Sequence, residues 1–118
     1  MPTRIINETR DQVVADRAQT ARSYFHRMIG LMGKKSLDQG DGLIIDPCSS
    51  VHTHWMRFAI DVIYVNNDHA IVGIDHDLHP WHIGHFYRKV QYVVELPAGK
   101  AHETGTQVGD RLILEDLE

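Results

Sequence analysis

Apolar residues come in short blocks along this chain, and polar turn residues separate them at close intervals. Arg4 to Asn7 and Gln12 to Ala15 flank the polar turn Glu8-Thr9-Arg10-Asp11, a pattern that predicts a hairpin. Between Ala18 and Ala21 the pattern is ambiguous. From Ser23 the apolar positions Tyr24, Phe25, Met28, Leu31 and Met32 fall at helical spacing. Ser23 can cap that helix through its hydroxyl, and Gly33 can end it in a left-handed residue. A helix so short and one-sided is expected to lie on a sheet, with Tyr24, Phe25 and Met28 inward.

The second half of the chain reads as strands. Leu43 to Ile45 is a buried strand ending at Pro47, and Val51 to Met56 can be extended. Ile60 to Val65, the turn Asn66-Asn67-Asp68-His69 and Ala70 to Ile74 make the strongest hairpin. Asp75 to Lys89, rich in histidine and carrying Pro80, Trp81 and Gly84, reads as a long loop or lid. Val90 to Leu96 is a strand, Pro97-Ala98-Gly99 a turn, and Ala101 to Thr106 a turn or short helical piece. Gly109-Asp110 introduces a last strand, Arg111 to Glu115. The expected fold is one mainly β domain over residues 1–118, a small barrel or sandwich of about seven or eight strands with one short external α-helix.

Bulk properties narrow the function classes. The chain has 118 residues, enough for one domain with a substantial core. Its apolar runs are far shorter than the roughly 20 residues a membrane-spanning helix needs. A polar, charged N-terminal stretch without an apolar segment predicts no secretory signal, hence a cytoplasmic protein. The net charge of −4 and the scatter of basic residues argue against a nucleic-acid partner. Nine histidines are many for this length, so the net charge should swing positive on mild acidification. A single cysteine excludes an internal disulfide and leaves Cys48 as a thiol, a ligand or a small buried hydrophobe.

Chemistry-bearing residue types concentrate between Pro47 and Val65. In an extended strand His52, His54 and Met56 share one face, and Ser49-Ser50 can bend Cys48 back toward them. Thiolate with imidazole suits zinc, and an added thioether suits copper; both are alternatives to the leading expectation of no cofactor. A copper-type ligand loop needs a second histidine from upstream, and His26 falls within the expected helix. Nucleophilic chemistry by Cys48, with His52 as base and Asp61 or Glu95 orienting it, is a second reading. The plainer reading is a hydrogen-bonded histidine beside a buried thiol. Asp61 and Glu95 interrupt apolar runs and must each find donors or solvent. His76, His79, His82 and His85 recur every third residue, but Pro80 and Gly84 forbid a regular helix, so a solvated loop is expected. Trp81, with Trp55 and Phe86, either caps the mouth or anchors the loop.

Several motifs together resemble the bacterial and archaeal family catalogued as domain of unknown function 192. They are Gly30-Leu31-Met32-Gly33, Gly40-x-Gly42-Leu43, Pro47-Cys48, Val51-His52-Thr53 and Met56-Arg57-Phe58. Ile60-Asp61-Val62, Pro80-Trp81, Glu95-Leu96-Pro97-Ala98-Gly99 and Gly109-Asp110 continue the match, which spans roughly residues 9–114. The resemblance implies a compact, mainly β fold and no established activity. Two departures are His54, where similar sequences usually carry an aromatic or other apolar residue, and Ala59, where they often have proline. A metal site shared with the family would then use at most Cys48 and His52 from this stretch. The leading expectation is a non-catalytic binding or accessory domain for a small ligand or protein, with a mouth lined by Cys48, His52, Met56, Asp61, Trp81 and Glu95. A Cys48/His52 enzyme or metal protein is the runner-up. A structural or protein-interaction domain, a third reading, calls for an exposed apolar patch in place of an enclosed pocket.

Overall fold

Residues 60–65, IDVIYV, are apolar and largely β-branched apart from one carboxylate, and the strand they form is buried on both faces. In the computed structural model, which describes residues 2–23, residue 27 and residues 30–117, this strand lies near one end of a single seven-stranded sheet. The strands are β1 (Thr3–Asn7), β2 (Gln12–Ala21), β3 (Asp41–Ile45), β4 (Ile60–Val65), β5 (Ile71–Leu78), β6 (Tyr92–Pro97) and β7 (Leu112–Asp116). Their order across the sheet is β5-β4-β6-β3-β2-β1-β7. Every pairing is antiparallel except β2 with β3, which run parallel. A short helix, α1 (Lys100–Glu103), follows β6.

The sheet curls into a half-barrel, since residues at its two ends meet. Ala70 bridges Arg111, and the backbone N–H of Leu112 donates to the His69 carbonyl at 2.9 Å. Inside the curl one apolar cluster draws on all seven strands, including Ile5, Ala18, Ile44, Ile63, Ile71, Val94 and Leu112. The opposite face of β3, β6, β4 and β5 is covered by loops. There Leu43, Ile45, Val62, Tyr64 and Val93 pack with Leu31, Val51 and Met56. With both faces covered, β4 and β6 are buried along their whole length. That double cover positions the candidate site.

The mainly β architecture of seven strands with one short helix agrees with expectation, in the form of one curled sheet. The helix expected from Ser23 rests on Tyr24, Phe25 and Met28, which lie outside the described residues. Within them, the Arg27 N–H donates to the Ser23 carbonyl at 2.9 Å and Leu31 is buried. Ala18 to Ala21, ambiguous by pattern, continues β2, because Ala18 packs into the inner cluster and Ala21 into the loop-covered cluster of the opposite face, while Arg17 and Gln19 are exposed. The extended segment expected for Val51 to Met56 is instead a turn. His52 alone forms a bridge, to Ile83, and the chain folds back at Trp55 with φ of 70°. The loop expected from Asp75 begins later, since β5 runs to Leu78. No helix among the described residues is long and apolar enough to cross a membrane.

Asp61 ties these pieces together. It pairs with Leu96 across the ladder and therefore shares the inner face. One carboxylate oxygen accepts the N–H of Asp77 at 2.9 Å, and the other accepts those of Gly99 at 3.1 Å and Ala101 at 2.9 Å. The side chain thus joins β4 to the end of β5 and to the start of α1. A buried donor left without a partner costs about 1–3 kcal/mol, and Asp61→Ala strands several at once. Urea unfolding of Asp61→Ala should show a loss of about 2–4 kcal/mol. A midpoint unchanged from the parent would mean that water replaces the carboxylate.

Candidate functional site

Glu95 occupies the middle of the loop-covered face. It pairs with Leu43 of β3 on one side and Val62 of β4 on the other, so its side chain shares their face and is only 4% exposed. Its Oε1 has no hydrogen-bond partner among the described residues. Burial pushes its carboxyl up to about 7, well above the usual range for a glutamate. Beside it lies a cavity of about 180 Å³ lined by Arg27, Leu31, Cys48, His52, Met56 and Glu95, with Gly30, Met32, Ile45, Ser50 and Val51 completing the wall. Gly30 lies close over the carboxyl, for a β-carbon placed there would stand 3.8 Å from Oε1. At φ of 52° the residue also adopts a left-handed backbone that glycine tolerates best.

Cys48 follows the cis Asp46–Pro47 peptide, and its thiol donates to the Ser50 carbonyl at 3.1 Å. Burial is the main cause that raises the thiol above its ordinary value, and the negative charge of Glu95 adds to it. The Ser50 hydrogen bond and the Arg27 charge act the other way without prevailing. No imidazole among the described residues hydrogen-bonds to it. His52 is exposed at the cavity mouth, where its Nδ1 accepts the N–H of His54 at 3.3 Å. In the neutral ring the proton is therefore on Nε2.

Four of the six residues expected to line a mouth, Cys48, His52, Met56 and Glu95, border this one cavity. Asp61 does not, because odd and even positions of β4 face opposite sides of the sheet and Asp61 is committed to α1. Trp81 lies beyond the cavity, among the loop rings. The rings of His52 and His54 lie 4.9 Å apart and those of His54 and Trp81 5.6 Å apart, both pairs tilted, and Trp81 meets Trp55 edge-on at 4.7 Å. The tryptophans are 67% and 57% exposed for Trp55 and Trp81. Both have positive φ, 70° and 67°, a conformation costing a bulky residue on the order of 1–3 kcal/mol. Buried Thr53 holds the two loops together: its N–H donates to the His82 carbonyl at 2.8 Å, and its carbonyl accepts the Trp81 N–H at 3.0 Å.

The rings of His52 and His54 lie together, but the turn at Trp55 sends Met56 inward to the core instead of continuing the alternation of an extended strand. The described histidine, cysteine, aspartate and glutamate side chains form no cluster of three able to hold a metal. His26, the upstream ligand considered for copper, lies outside the described residues.

Sequence reasoning passed over Asp75. Paired with Val62, it sits on the same face as Glu95, one strand beyond. It accepts from the Tyr64 hydroxyl at 2.7 Å, the Tyr87 hydroxyl at 2.9 Å and the His85 N–H at 2.9 Å, and it contacts His85 Nδ1 at 2.7 Å. Burial raises its carboxyl, but these bonds outweigh burial and hold it below the usual aspartate range. The 79–91 loop is thereby clamped to the sheet, and a side chain on Gly84 would collide with the Tyr64 hydroxyl. Of the four histidines at three-residue spacing, His85 alone is tied to a buried carboxylate.

Residues 5–114 match the family model described as Uncharacterized ACR, domain of unknown function 192. A UPF0127 protein of Pyrococcus furiosus is 31% identical over 113 residues, covering 92% of this chain and 95% of its own. One from Pyrococcus horikoshii is 27% identical over 113 residues, covering 92% and 96%. Among solved structures, a protein from Novosphingobium aromaticivorans superposes with a TM-score of 0.82 at 22% identity, over 96% of this chain and 84% of its own. A second, from Sinorhizobium meliloti, gives 0.79 at 22% identity over 95% and 91%. These two likenesses establish the fold alone.

The unusual Glu95 carboxyl makes stability depend on pH in a defined direction. Between about 4.5 and 7 the unfolded chain has released this proton while the folded chain still holds it, so stability falls as pH rises through that window. The accumulated loss is about 3 kcal/mol by the top of the window. Glu95→Gln should abolish that slope and leave the variant more stable than the parent at pH 8, measured by urea unfolding at several pH values. Equal slopes in the two proteins would show that Glu95 ionises freely.

Proposed function

The chain belongs to that family, and we propose that it is a binding domain which holds a small organic ligand in the Glu95 cavity without transforming it. The observation that carries this reading is a buried carboxyl oxygen without a partner on the wall of a cavity. A buried acceptor left unpaired among the described residues calls for a donor. The wall is apolar at Leu31, Ile45, Val51 and Met56 and polar at a few points, the usual composition of a small-molecule site. Its volume is below the roughly 300–1,000 Å³ of drug-sized pockets, which suits a ligand of few atoms or the end of a longer one. A thiol held protonated and turned to a backbone carbonyl favours binding over nucleophilic attack.

A fragment library screened by ¹H–¹⁵N and methyl NMR tests this. Members should shift the resonances of Met56, Val51 and Glu95 together, and Cys48→Ser should bind them within about twofold of the parent. A library of several hundred compounds that leaves those signals unmoved sinks the binding reading.

A further inference from the structure

Resting on that binding reading, the geometry points to a ligand class: we propose that the cavity takes an organic ammonium group, which donates N–H to the Glu95 carboxyl while its carbon skeleton leaves past His52 along the His54, Trp81 and Trp55 rings. Three independent observations converge on a cation. Glu95 is the carboxylate of the cavity wall, and its Oε1 is the one buried side-chain oxygen or nitrogen left without a partner among the described residues. The other two buried carboxylates of these strands are already saturated, Asp61 by three backbone donors and Asp75 by two tyrosines and His85. The exit is a row of aromatic rings, and tryptophan faces attract cations more strongly than other side chains do. Finally, the chain is acidic as a whole, with a net charge of −4, which draws in cations and disfavours anions.

Groups face Glu95 from every side. From β3 and β4 they are the apolar Leu43, Ile45 and Val62. From the loops they are Cys48, neutral and engaged with Ser50, and His52 at the mouth. From the 27–33 segment comes Arg27, the one arginine or lysine on the wall, which opposes a cationic ligand; its Nη1 donates to the Arg22 carbonyl at 3.3 Å. An anion or zwitterion would use Arg27, whereas an ammonium must avoid it. This gives the two charge classes opposite signatures.

Alkylammonium ions stay protonated across neutral pH, as lysine does, so only the protein titrates. Binding to the ionised carboxyl selects a fraction of the protein that grows about tenfold between pH 6 and pH 8 for a group near 7. The test is an NMR titration of the full chain with n-butylammonium and butane-1,4-diammonium, and with 1-butanol and butanoate as neutral and anionic counterparts. Both ammonium ions should bind, with affinity rising about tenfold from pH 6 to pH 8. Glu95→Gln should lose tenfold or more in affinity together with the pH slope, while His52→Gln keeps the slope. Arg27→Ala should bind the ammonium ions more tightly. Since Glu95→Gln is expected to be the more stable protein at pH 8, misfolding would not mimic the result. Preferential binding of butanoate, weakened binding in Arg27→Ala, or butanol binding as tightly as butylammonium at both pH values overturns the ammonium assignment. Those three outcomes leave the binding domain standing, and only a silent fragment screen removes both.

Discussion

Both faces of β4 and β6 are covered, the inner one by the curl of the sheet and the outer one by the 46–59 and 79–91 loops, and this double cover governs the rest of the molecule. A polar side chain on such strands cannot reach bulk water, so each must be satisfied from within or stay neutral. Asp61 and Asp75, though on opposite faces, meet that demand in the same way, by gathering backbone and side-chain donors, and each thereby fixes a neighbouring segment. Asp61 organises α1, and Asp75 holds down the loop that carries the tryptophans. Glu95 is the exception, and the fold accommodates it by keeping the carboxyl protonated well above its ordinary range.

These carboxylates divide the structure into parts that serve stability and a part that does not. With Asp61 engaged by Gly99 and Ala101, the inner face is closed to ligands, and its apolar cluster is continuous across seven strands. On the outer face Asp75 and Glu95 flank Val62, yet only Glu95 adjoins a cavity. The clamp at Asp75 matters to the site indirectly. By fixing His85 and Gly84 it sets where the loop leaves the sheet, and Thr53 then locks that loop to the 46–59 segment.

Much of the fold was legible because it follows from residue periodicity. Ile60 to Val65 and its turn announce a hairpin through β-branched residues and Asn66, whose side chain accepts the Asp68 and Ala70 N–H groups. The end of β2 was not legible, since Asp16, Arg17 and Gln19 break the apolar pattern while the small Ala18 and Ala21 carry it. The turn at Trp55 was also hidden. A tryptophan at positive φ is contrary to local preference and is imposed by the hydrogen bonds of Thr53 with the other loop. That single turn explains why Met56 does not continue the alternation that His52 and His54 begin. Pairing of Cys48 and His52 with Glu95 in one place was visible only as residue types, because the neighbours across a ladder depend on strand order. The same ignorance put Asp61 with Glu95, one register step from being right.

The tryptophan pair bears on how the site is used. Two large rings in left-handed backbone conformations are costly, and with more than half of each exposed they recover only part of the burial that normally rewards a tryptophan. Had the loops needed only anchors, rings turned inward would have served, as Tyr87 does against Tyr64 at 4.5 Å. Holding Trp55 and Trp81 outward instead keeps an exposed aromatic surface beside the mouth, with the backbone of both loops fixed through Thr53. Preorganisation of this kind lowers the entropy lost on association, so a cavity of modest volume can still support specific binding. Under the proposed binding role, the aromatic rim and the carboxyl unpartnered among the described residues would act as two halves of one arrangement: the first would supply contact area at the surface, and the second a polar anchor at depth.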